Sequence, residues 1–440
     1  MSAPHGLDRE KLRGLGSLEL DATVKGFPAL PAGTTVDAFT AARPSLFEAG
    51  FLPPVMVLRE SALDANIARL ADFCTTRGLL LAPHGKTMMS PQLAHRQLTA
   101  GAWAVTVATV SQARVYRSFG ATRILLANEL VDPAGLAWAM AEMEADPSFE
   151  LIAYVDSPEG TGLLASALAE LPGTRALPVL VELGTPGGRT GNRTAEGALA
   201  VAAQVARTGR LELRGVSGFE GVLAHDAEAD SLDTVRTFLR TLRSVARSLL
   251  TPGGCGRASE ERPFLVSAGG SAYFDLVAEE LADGWDPELP VQVVVRSGAY
   301  LTHDSEFFDG LSPFTRAPHG SRENPGLFAA LEVWASVLSV PEPGLALLGA
   351  GKRDVPYDIH LPRAEAVRTA DGTVRPLHSL TVSEVNDQHA YLRGPVEEQL
   401  AVGNWVRLGV SHPCTAFDKW RLVPLVTDDY RVIDCVRTFF

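Results

Sequence analysis

The stretch that decides the fold is LLLAPHGKTMMSPQLAHRQLTAGAWAVTVATVSQARVYRSFGATRILLA, residues 79–127. In it, short apolar runs alternate with longer amphipathic segments, a pattern typical of parallel strands joined by helices. The alternation continues to residue 296 and predicts about eight strands, at 79–82, 104–107, 123–127, 151–155, 178–183, 213–218, 263–268 and 291–296. Eight strand–helix units in succession predict an α/β fold, the (β/α)8 TIM-type barrel.

The segments between these strands have the composition and length of helices. Several begin with Ser, Thr, Asp or Pro, the residue types that favour a helix start. The predicted helices lie at 90–100, 111–119, 133–144, 159–171, 194–208 and 229–250.

After Tyr300 the pattern changes to strand-like segments separated by Pro, Gly and Asp turns, which predicts an all-β domain. We expect an N-terminal arm at 1–52 that adds to this β domain, the barrel at 53–312, and the C-terminal β domain at 313–440. The segment FLPPVMVLRE, residues 51–60, is expected to add a strand to the β domain.

The composition and charge of the chain limit the kinds of partner that it can bind. The chain has 440 residues, 46% of them hydrophobic, and a formal charge of −13, so it has ample core-forming material and repels phosphate backbones and anionic membranes. We therefore expect neither a nucleic-acid nor a membrane partner. The four scattered cysteines and an N-terminus without an apolar signal segment favour a cytoplasmic location.

In a TIM-type barrel the reactive groups lie at the C-terminal ends of the strands. The first predicted strand is followed by PHGKT, which contains His84 and Lys86, and the fifth by GTPGGRTG, which contains Arg189. The seventh leads into SAGGS, residues 267–271, whose backbone N–H groups could bind a phosphate at a helix N-terminus. The eighth is followed by RSGAYLTHD, residues 296–304.

The C-terminal edge of the predicted barrel thus carries a lysine, an arginine in a glycine-rich turn and two loops of small residues. Together these features suggest a pyridoxal phosphate site. Lysine can form a Schiff base with the cofactor aldehyde, while the protein orients and tunes the cofactor. A lysine after a strand is otherwise most often a solvated surface residue, and SAGGS could be an ordinary tight turn. A barrel that binds a small ligand without this cofactor is therefore an alternative.

A second group of candidate functional residues lies in SHPCTAFDKW, residues 411–420. If this segment is a strand, His412 and Cys414 point to the same side and present an imidazole and a thiolate, both favoured by zinc. Two ligands do not complete a structural site, but open positions would let a substrate oxygen bind. The alternative is a buried cysteine beside a histidine with no metal.

The segments PHGKT and HPCTAFDKW resemble the D-serine dehydratase and D-threonine aldolase family of fold-type III pyridoxal phosphate enzymes, which shares its barrel with alanine racemases. Further similar segments are GAWAVTVATVSQA at 101–113, VELGTPGGRTG at 181–191, SAGGS and VVRSGAYLTHDS. The resemblance implies that Lys86 carries the cofactor and is the catalytic base. It implies cofactor-binding roles for His84, Arg189, Ser267, Gly269, Gly270, Ser271, Gly298 and Tyr300, and metal binding by His412 and Cys414 in the β domain.

The resemblance also implies a reaction. Its dehydratases carry His-x-Cys, as this chain does, so we expect deamination of a D-β-hydroxy amino acid such as D-serine or D-threonine, with pyridoxal phosphate and zinc or another divalent metal, by a homodimer. The runner-up is metal-dependent D-threonine aldolase activity, which gives glycine and an aldehyde. Amino-acid racemisation and non-catalytic binding of the cofactor are further alternatives.

Overall fold

A computed structural model describes residues 6–316 and 326–440. The predicted arm and the predicted β domain each extend over residues outside these ranges, 1–5 and 317–325. The chain forms two compact units. The described part of the barrel unit comprises 6–8, 70–86 and 94–298, and that of the β unit comprises 9–69, 87–93, 299–316 and 326–440. The domain boundaries drawn from the sequence stay predictions.

The strands of the described residues are β1 Val55–Arg59, β2 Leu80–Leu81, β3 Val105–Val107, β4 Arg123–Glu129, β5 Glu150–Val155, β6 Leu177–Leu183, β7 Leu211–Gly218, β8 Phe264–Ala268, β9 Val291–Val295, β10 Leu331–Glu342, β11 Leu345–Leu348, β12 Arg363–Arg368, β13 Val374–Pro376, β14 Thr381–Val385, β15 Ala390–Arg393, β16 Trp405–Gly409, β17 Leu422–Val426 and β18 Val432–Arg437.

The α-helices of the same residues are α1 Arg9–Gly14, α2 Val36–Ala41, α3 Glu60–Thr76, α4 Pro91–Thr99, α5 Val110–Ser118, α6 Pro133–Ala145, α7 Pro158–Glu170, α8 Ala195–Arg207, α9 Ala229–Leu250, α10 Phe274–Leu281, α11 Phe307–Leu311, α12 Pro313–Arg316 and α13 Cys414–Phe417. Short 3₁₀ turns lie at Leu15–Ser17, Gly85–Thr87, Glu220–Val222 and Ala299–Leu301. None of the described helices is both long and apolar enough to cross a membrane.

The barrel unit contains a parallel sheet of eight strands in the order β2-β9-β8-β7-β6-β5-β4-β3. Backbone hydrogen bonds from Trp103 to Leu81 (2.6 Å) and from Thr106 to Pro83 (2.9 Å) join the two end strands, so the sheet closes on itself. Buried side chains of the strands and their flanks form one core cluster, which includes Ala82, Leu125, Ile152, Tyr154, Leu180, Leu265 and Val294. The predicted (β/α)8 barrel is confirmed.

Side-chain caps fix the starts of the barrel helices at the places that the sequence indicates. Thr109, Asp132, Ser157 and Thr194 each accept a hydrogen bond from a backbone N–H in the first turn of α5, α6, α7 and α8, respectively. Such caps satisfy backbone donors that have no partner within the helix. Thr109, Asp132 and Ser157 follow their strands by two or three residues, which keeps these strand-to-helix turns short, whereas a longer loop separates β6 from Thr194.

The β unit is built on a ten-stranded sheet whose main path is β13-β12-β16-β10-β1-β17-β18. Strand β11 pairs with the C-terminal half of β10, β15 pairs with β11, and β14 pairs with β15. Strand β1 comes from the segment before the barrel and pairs antiparallel with β10 and parallel with β17. The expected strand within 51–60 therefore belongs to this all-β sheet.

Candidate active site

Lys86 lies in the 3₁₀ turn Gly85–Thr87, which follows β2 at the C-terminal edge of the barrel. Tyr116 of α5 donates its hydroxyl to the Gly85 carbonyl at 2.7 Å. A Cβ at Gly85 would lie 2.7 Å from the Tyr116 ring, so only glycine lets the turn pack this closely. The lysine is thus carried on a turn that the barrel helix holds in place.

His84 lies two residues before Lys86 in a strongly cationic environment. Burial lowers the pKa of His84 well below its usual range, and the nearby charges of Lys86, Arg296 and Arg189 lower it further. The imidazole is therefore neutral at physiological pH. Its Nδ1 atom is buried and has no hydrogen-bond partner among the described residues.

Arg296, directly after β9, is the buried cation of this edge. It is only 6% exposed and donates to the Ser267 hydroxyl at 2.5 Å and to the Gly218 carbonyl at 2.7 Å. Ser267 also donates to the Val294 carbonyl at 3.2 Å. These bonds fix the guanidinium between β7, β8 and β9, so Arg296 is a permanent part of the site.

The SAGGS turn already binds one anionic group. The N–H groups of Gly269 and Gly270 donate to the two carboxylate oxygens of the fully buried Glu220, at 3.0 and 2.7 Å. Gly269 has φ +96°, a conformation that favours glycine, and a Cβ on Gly270 would lie 2.9 Å from the Phe219 ring. The turn therefore directs two N–H donors at the Glu220 carboxyl group, and its binding of a cofactor phosphate stays a prediction.

The remaining predicted cofactor residues lie in different surroundings. Arg189 is exposed, and its guanidinium carbon lies 4.6 Å from the centroid of the Phe219 ring. Ser271 is half-buried, and Gly298 is buried directly before the turn Ala299–Leu301. Tyr300 is buried within the β unit and is only 1% exposed.

These features fit a pyridoxal phosphate group. His84 Nδ1 is a buried polar atom with no hydrogen-bond partner within the described part of the chain. Buried polar atoms without partners are costly unless a ligand or water satisfies them. In addition, the sequence contains five lysines, and Lys86 is the only one that belongs to the barrel unit. A Schiff base formed within the barrel unit must therefore use Lys86.

A pair of carboxyl groups lies beside this edge, at the ends of β4 and β6. Glu182 is 7% exposed, and burial, followed by the charge and hydrogen bond of Glu182, raises the pKa of Glu129 to about 8. Asp156, which accepts the Gly191 N–H at 3.0 Å, raises it further. The Glu129 carboxyl group therefore keeps its proton at neutral pH.

We expect Glu129→Gln to stabilise the protein, and to do so increasingly at high pH. The folded chain keeps the Glu129 proton up to about pH 8, whereas an unperturbed glutamate loses it near 4.5. The unfolded state therefore binds fewer protons between these values, and stability falls as the pH rises. Glutamine mimics the protonated form, so we expect the free energy of unfolding to rise by about 1–3 kcal/mol at pH 8 and little at pH 5.

Urea unfolding at pH 5 and pH 8 measures this difference, with Glu261→Gln as a control, because Glu261 lies in an exposed loop of the same unit. An equal change at both pH values would contradict the raised pKa of Glu129.

The predicted metal pair lies in the β unit, although not on a strand. Strand β16 ends at Gly409, His412 lies in the turn that follows, and Cys414 is the first residue of α13. The expectation of alternating strand geometry here is wrong, because Pro413 precedes a helical turn. The two side chains nevertheless meet, since the His412 ring hydrogen-bonds with Cys414.

Each member of the pair has a second polar contact. His412 Nδ1 lies 2.6 Å from Asp358 Oδ2, and Cys414 Sγ lies 3.3 Å from the Thr87 hydroxyl oxygen. Burial lowers the pKa of His412, but the hydrogen bonds and charges of Cys414 and Asp358 outweigh it and raise this pKa to about 9.

An imidazole and a thiolate are donors that zinc prefers, so the chemistry of the pair fits this metal. Within residues 6–316 and 326–440, no group of three or more His, Cys, Asp or Glu side chains is arranged as a metal site. The described residues therefore offer two ligands at this turn, and water or substrate oxygen would have to complete the coordination.

Sequence reasoning missed several of these residues as site members. Arg296 belongs to the segment RSGAYLTHD but has no predicted role, and Glu220 lies outside the segments singled out as sites. Glu182 can be recognised as a candidate from the sequence, because it is the one charged residue within the apolar strand β6. Asp358 cannot, because the sequence does not place it near His412.

Two models of known protein families match this chain, one mainly in the barrel unit and the other in the β unit. The family model described as "Alanine racemase, N-terminal domain" matches residues 58–279, which is half of the chain. The model described as "Putative serine dehydratase domain" matches residues 330–426. The first match covers most of the barrel strands, and the second covers strands β10 to β17 and the His412–Cys414 turn.

Similar whole proteins include D-threonine aldolase of Arthrobacter sp, which is 27% identical over 83% of this chain and 86% of that protein. D-threo-3-hydroxyaspartate dehydratase of Delftia sp. (strain HT23) is 29% identical over 82% of this chain and 90% of that protein.

Among solved structures, D-threonine aldolase from Filomicrobium marinum has a TM-score of 0.71 at 22% identity, covering 88% of this chain and 95% of that one. A metal-free cysteine-to-alanine mutant of D-threo-3-hydroxyaspartate dehydratase has a TM-score of 0.67 at 22% identity, covering 88% and 98%. These likenesses confirm the barrel with an all-β domain and the resemblance drawn from the sequence. The chain therefore belongs to the alanine racemase-like, fold-type III family of pyridoxal phosphate enzymes.

Proposed function

We propose that this chain is a lyase that deaminates a D-configured β-hydroxy amino acid with pyridoxal phosphate and a divalent metal such as zinc. The observation that carries the proposal is the presence in one chain of Lys86, the single lysine of the barrel unit, and of the His412–Cys414 pair. The names of the similar proteins support D-threonine and add D-threo-3-hydroxyaspartate as a candidate substrate beside D-serine.

In this proposal Lys86 holds the cofactor through its Nζ atom. The surrounding contacts come from His84, Arg189, Ser267, Gly269, Gly270, Ser271, Gly298 and Tyr300, and we add Arg296. When bound, pyridoxal phosphate accepts the electron pair that remains on Cα after a proton leaves. Arg296 supplies a fixed positive charge, and neutral His84 offers Nδ1 as a hydrogen-bonding atom rather than as a second cation.

Lys86 is also the proposed base that removes the α-proton from the D-isomer. Departure of the β-hydroxyl group as water then forms a carbon–carbon double bond. The released enamine tautomerises to an imine, and one water molecule hydrolyses it to a 2-oxo acid and ammonia. The reaction balances without an oxidant or a reductant.

The proposed role of His412 and Cys414 is to hold the metal. When bound, such a metal supplies Lewis-acid stabilisation to a hydroxyl group, which is otherwise a poor leaving group. A similar D-threo-3-hydroxyaspartate dehydratase has been solved as a cysteine-to-alanine mutant in a metal-free form. This description supports a metal role for Cys414.

A second candidate function is aldol cleavage, favoured by the similarity to D-threonine aldolase over 83% of the chain. In this reaction a base removes the proton of the β-hydroxyl group and the Cα–Cβ bond breaks. The products are an aldehyde and, after protonation of Cα, glycine. The two functions use the same substrate and differ in the bond that breaks.

Product analysis distinguishes the two reactions. Cofactor-loaded protein is incubated with D-threonine, with and without a chelator, and with L-threonine as the control. Formation of 2-oxobutanoate and ammonia that stops on chelation is the expected result. Glycine and acetaldehyde would establish the aldolase, and neither pair of products from D-threonine, D-serine or D-threo-3-hydroxyaspartate would overturn the proposal.

We also propose a homodimer, which the family resemblance supports. Light scattering of the purified protein is expected to give twice the mass of the 46.9 kDa chain.

A further inference from the structure

The contacts around His412 form a closed local network within the β unit. Asp358 Oδ2 lies 2.6 Å from His412 Nδ1, and Asp358 Oδ1 accepts the Thr415 hydroxyl at 2.9 Å. The Thr415 hydroxyl also lies 3.3 Å from the His412 carbonyl oxygen. Both oxygens of one carboxylate are thus bonded to the turn that carries the predicted ligands.

This arrangement assigns the two ring nitrogens of His412 different tasks. A histidine binds a metal through the lone pair of one nitrogen, and a hydrogen bond at the other nitrogen determines which lone pair is free. Because the carboxylate accepts a proton at Nδ1, that atom carries the hydrogen whenever the ring is neutral. The lone pair offered to a metal is then that of Nε2.

We propose that Asp358 is a positioning residue for the metal site: it fixes the His412 ring and leaves Nε2 as the metal-binding atom. This inference rests on the proposed function, because it concerns the metal that His412 and Cys414 would hold.

Thr87 makes a comparable contact with the other predicted ligand, 3.3 Å from Cys414 Sγ, and is 2% exposed.

An ordinary surface ion pair explains these contacts less well. The side chains of His412 and Asp358 are 22% and 43% exposed, and pairs this accessible contribute little to stability. An ion pair also needs only one carboxylate oxygen, whereas here the second oxygen binds Thr415, three residues after His412. The contact thus fixes the orientation of the ring.

The test measures Zn²⁺ affinity of the cofactor-loaded protein directly, by competition with a chromophoric chelator. We expect Asp358→Ala to weaken Zn²⁺ binding about 10-fold, the lower end of the effect of removing such a partner, because the carboxylate is partly solvated. Asp358→Asn, which keeps the shape of the side chain, should also weaken binding. The thermal unfolding temperature and the pyridoxal phosphate content should stay unchanged.

The matched control is Asp418→Asn. The Asp418 side chain is 44% exposed and lies 3.4 Å from Lys419 Nζ, so it matches Asp358 in charge and exposure. We expect this variant to bind Zn²⁺ as the unaltered protein does.

Three outcomes are separable. Weaker binding in both Asp358 variants and unchanged binding in the control support the inference. Equal affinity in the unaltered protein and in the Asp358 variants overturns the positioning role while leaving the proposed metal site intact. Absence of Zn²⁺ binding to the unaltered protein overturns the proposed metal site and the inference together.

Discussion

Replacing Lys86 with alanine is expected to abolish both the covalent attachment of pyridoxal phosphate and the reaction. Lys86 is the only lysine of the barrel unit, so no other side chain of that unit can form a Schiff base there. The same substitution removes the proposed base. General base catalysis alone contributes about 10²–10⁴-fold, so we expect kcat/KM to fall by at least about 10³-fold.

Two measurements check this result: the visible absorption of the protein after loading with pyridoxal phosphate, and product formation from D-threonine. Lys352→Ala is the control, because Lys352 is an exposed residue of the β unit. It should keep both the absorption band and the activity. A Lys86→Ala protein that keeps its absorption band would show that the cofactor is attached elsewhere.

The barrel could be predicted closely because its strands are buried on both faces. Such strands appear in the sequence as continuous apolar runs, which polar helix caps separate. Helix α9 begins and ends at the predicted residues, 229 and 250, and the predicted strand 151–155 differs from β5 by one residue. The turns that carry Lys86 and SAGGS were therefore placed at the correct edge.

The β unit was harder to predict, because its strands are short and partly exposed. The strand-like segments of the sequence after Tyr300 are 326–340, 345–350, 377–386, 389–394, 404–410 and 421–427. They overlap β10, β11, β14, β15, β16 and β17, whereas β12, β13 and β18 lie outside them. Strand β12, RAEAVR, alternates charged and small residues, and its pairing with β16 depends on contacts about 40 residues away in sequence. Local composition contains little information about such a pairing.

Side-chain roles at the site depend on distances that the sequence does not contain. Both Arg189 and Arg296 follow a predicted strand, yet Arg189 is exposed and Arg296 is 6% exposed. The difference arises because Arg296 lies between strands that offer it a hydroxyl and a carbonyl, whereas Arg189 belongs to a loop. The coupling of Glu129 to Glu182 likewise joins strands that are separated in the sheet by β5.

Replacing either predicted metal ligand is expected to separate metal binding from cofactor binding. In His412→Ala or Cys414→Ala one of the two ligand side chains is lost, while Lys86 is unaltered. A metal contributes several kcal/mol to the departure of a poor leaving group, so we expect dehydratase activity to fall by at least about 10²-fold. The visible absorption of bound pyridoxal phosphate should remain.

Removing the metal and adding it back tests this expectation directly. Chelation should inactivate the unaltered protein and added Zn²⁺ should restore it, whereas neither treatment should change the His412→Ala variant. Cys255→Ala is the control for loss of a thiol, because Cys255 is a half-buried free cysteine of the barrel unit. Undiminished, chelator-insensitive activity in His412→Ala would mean that the β-hydroxyl group leaves without a metal. A protein acid would then have to protonate that hydroxyl group, and the contacts of His412 with Cys414 and Asp358 would serve the fold alone.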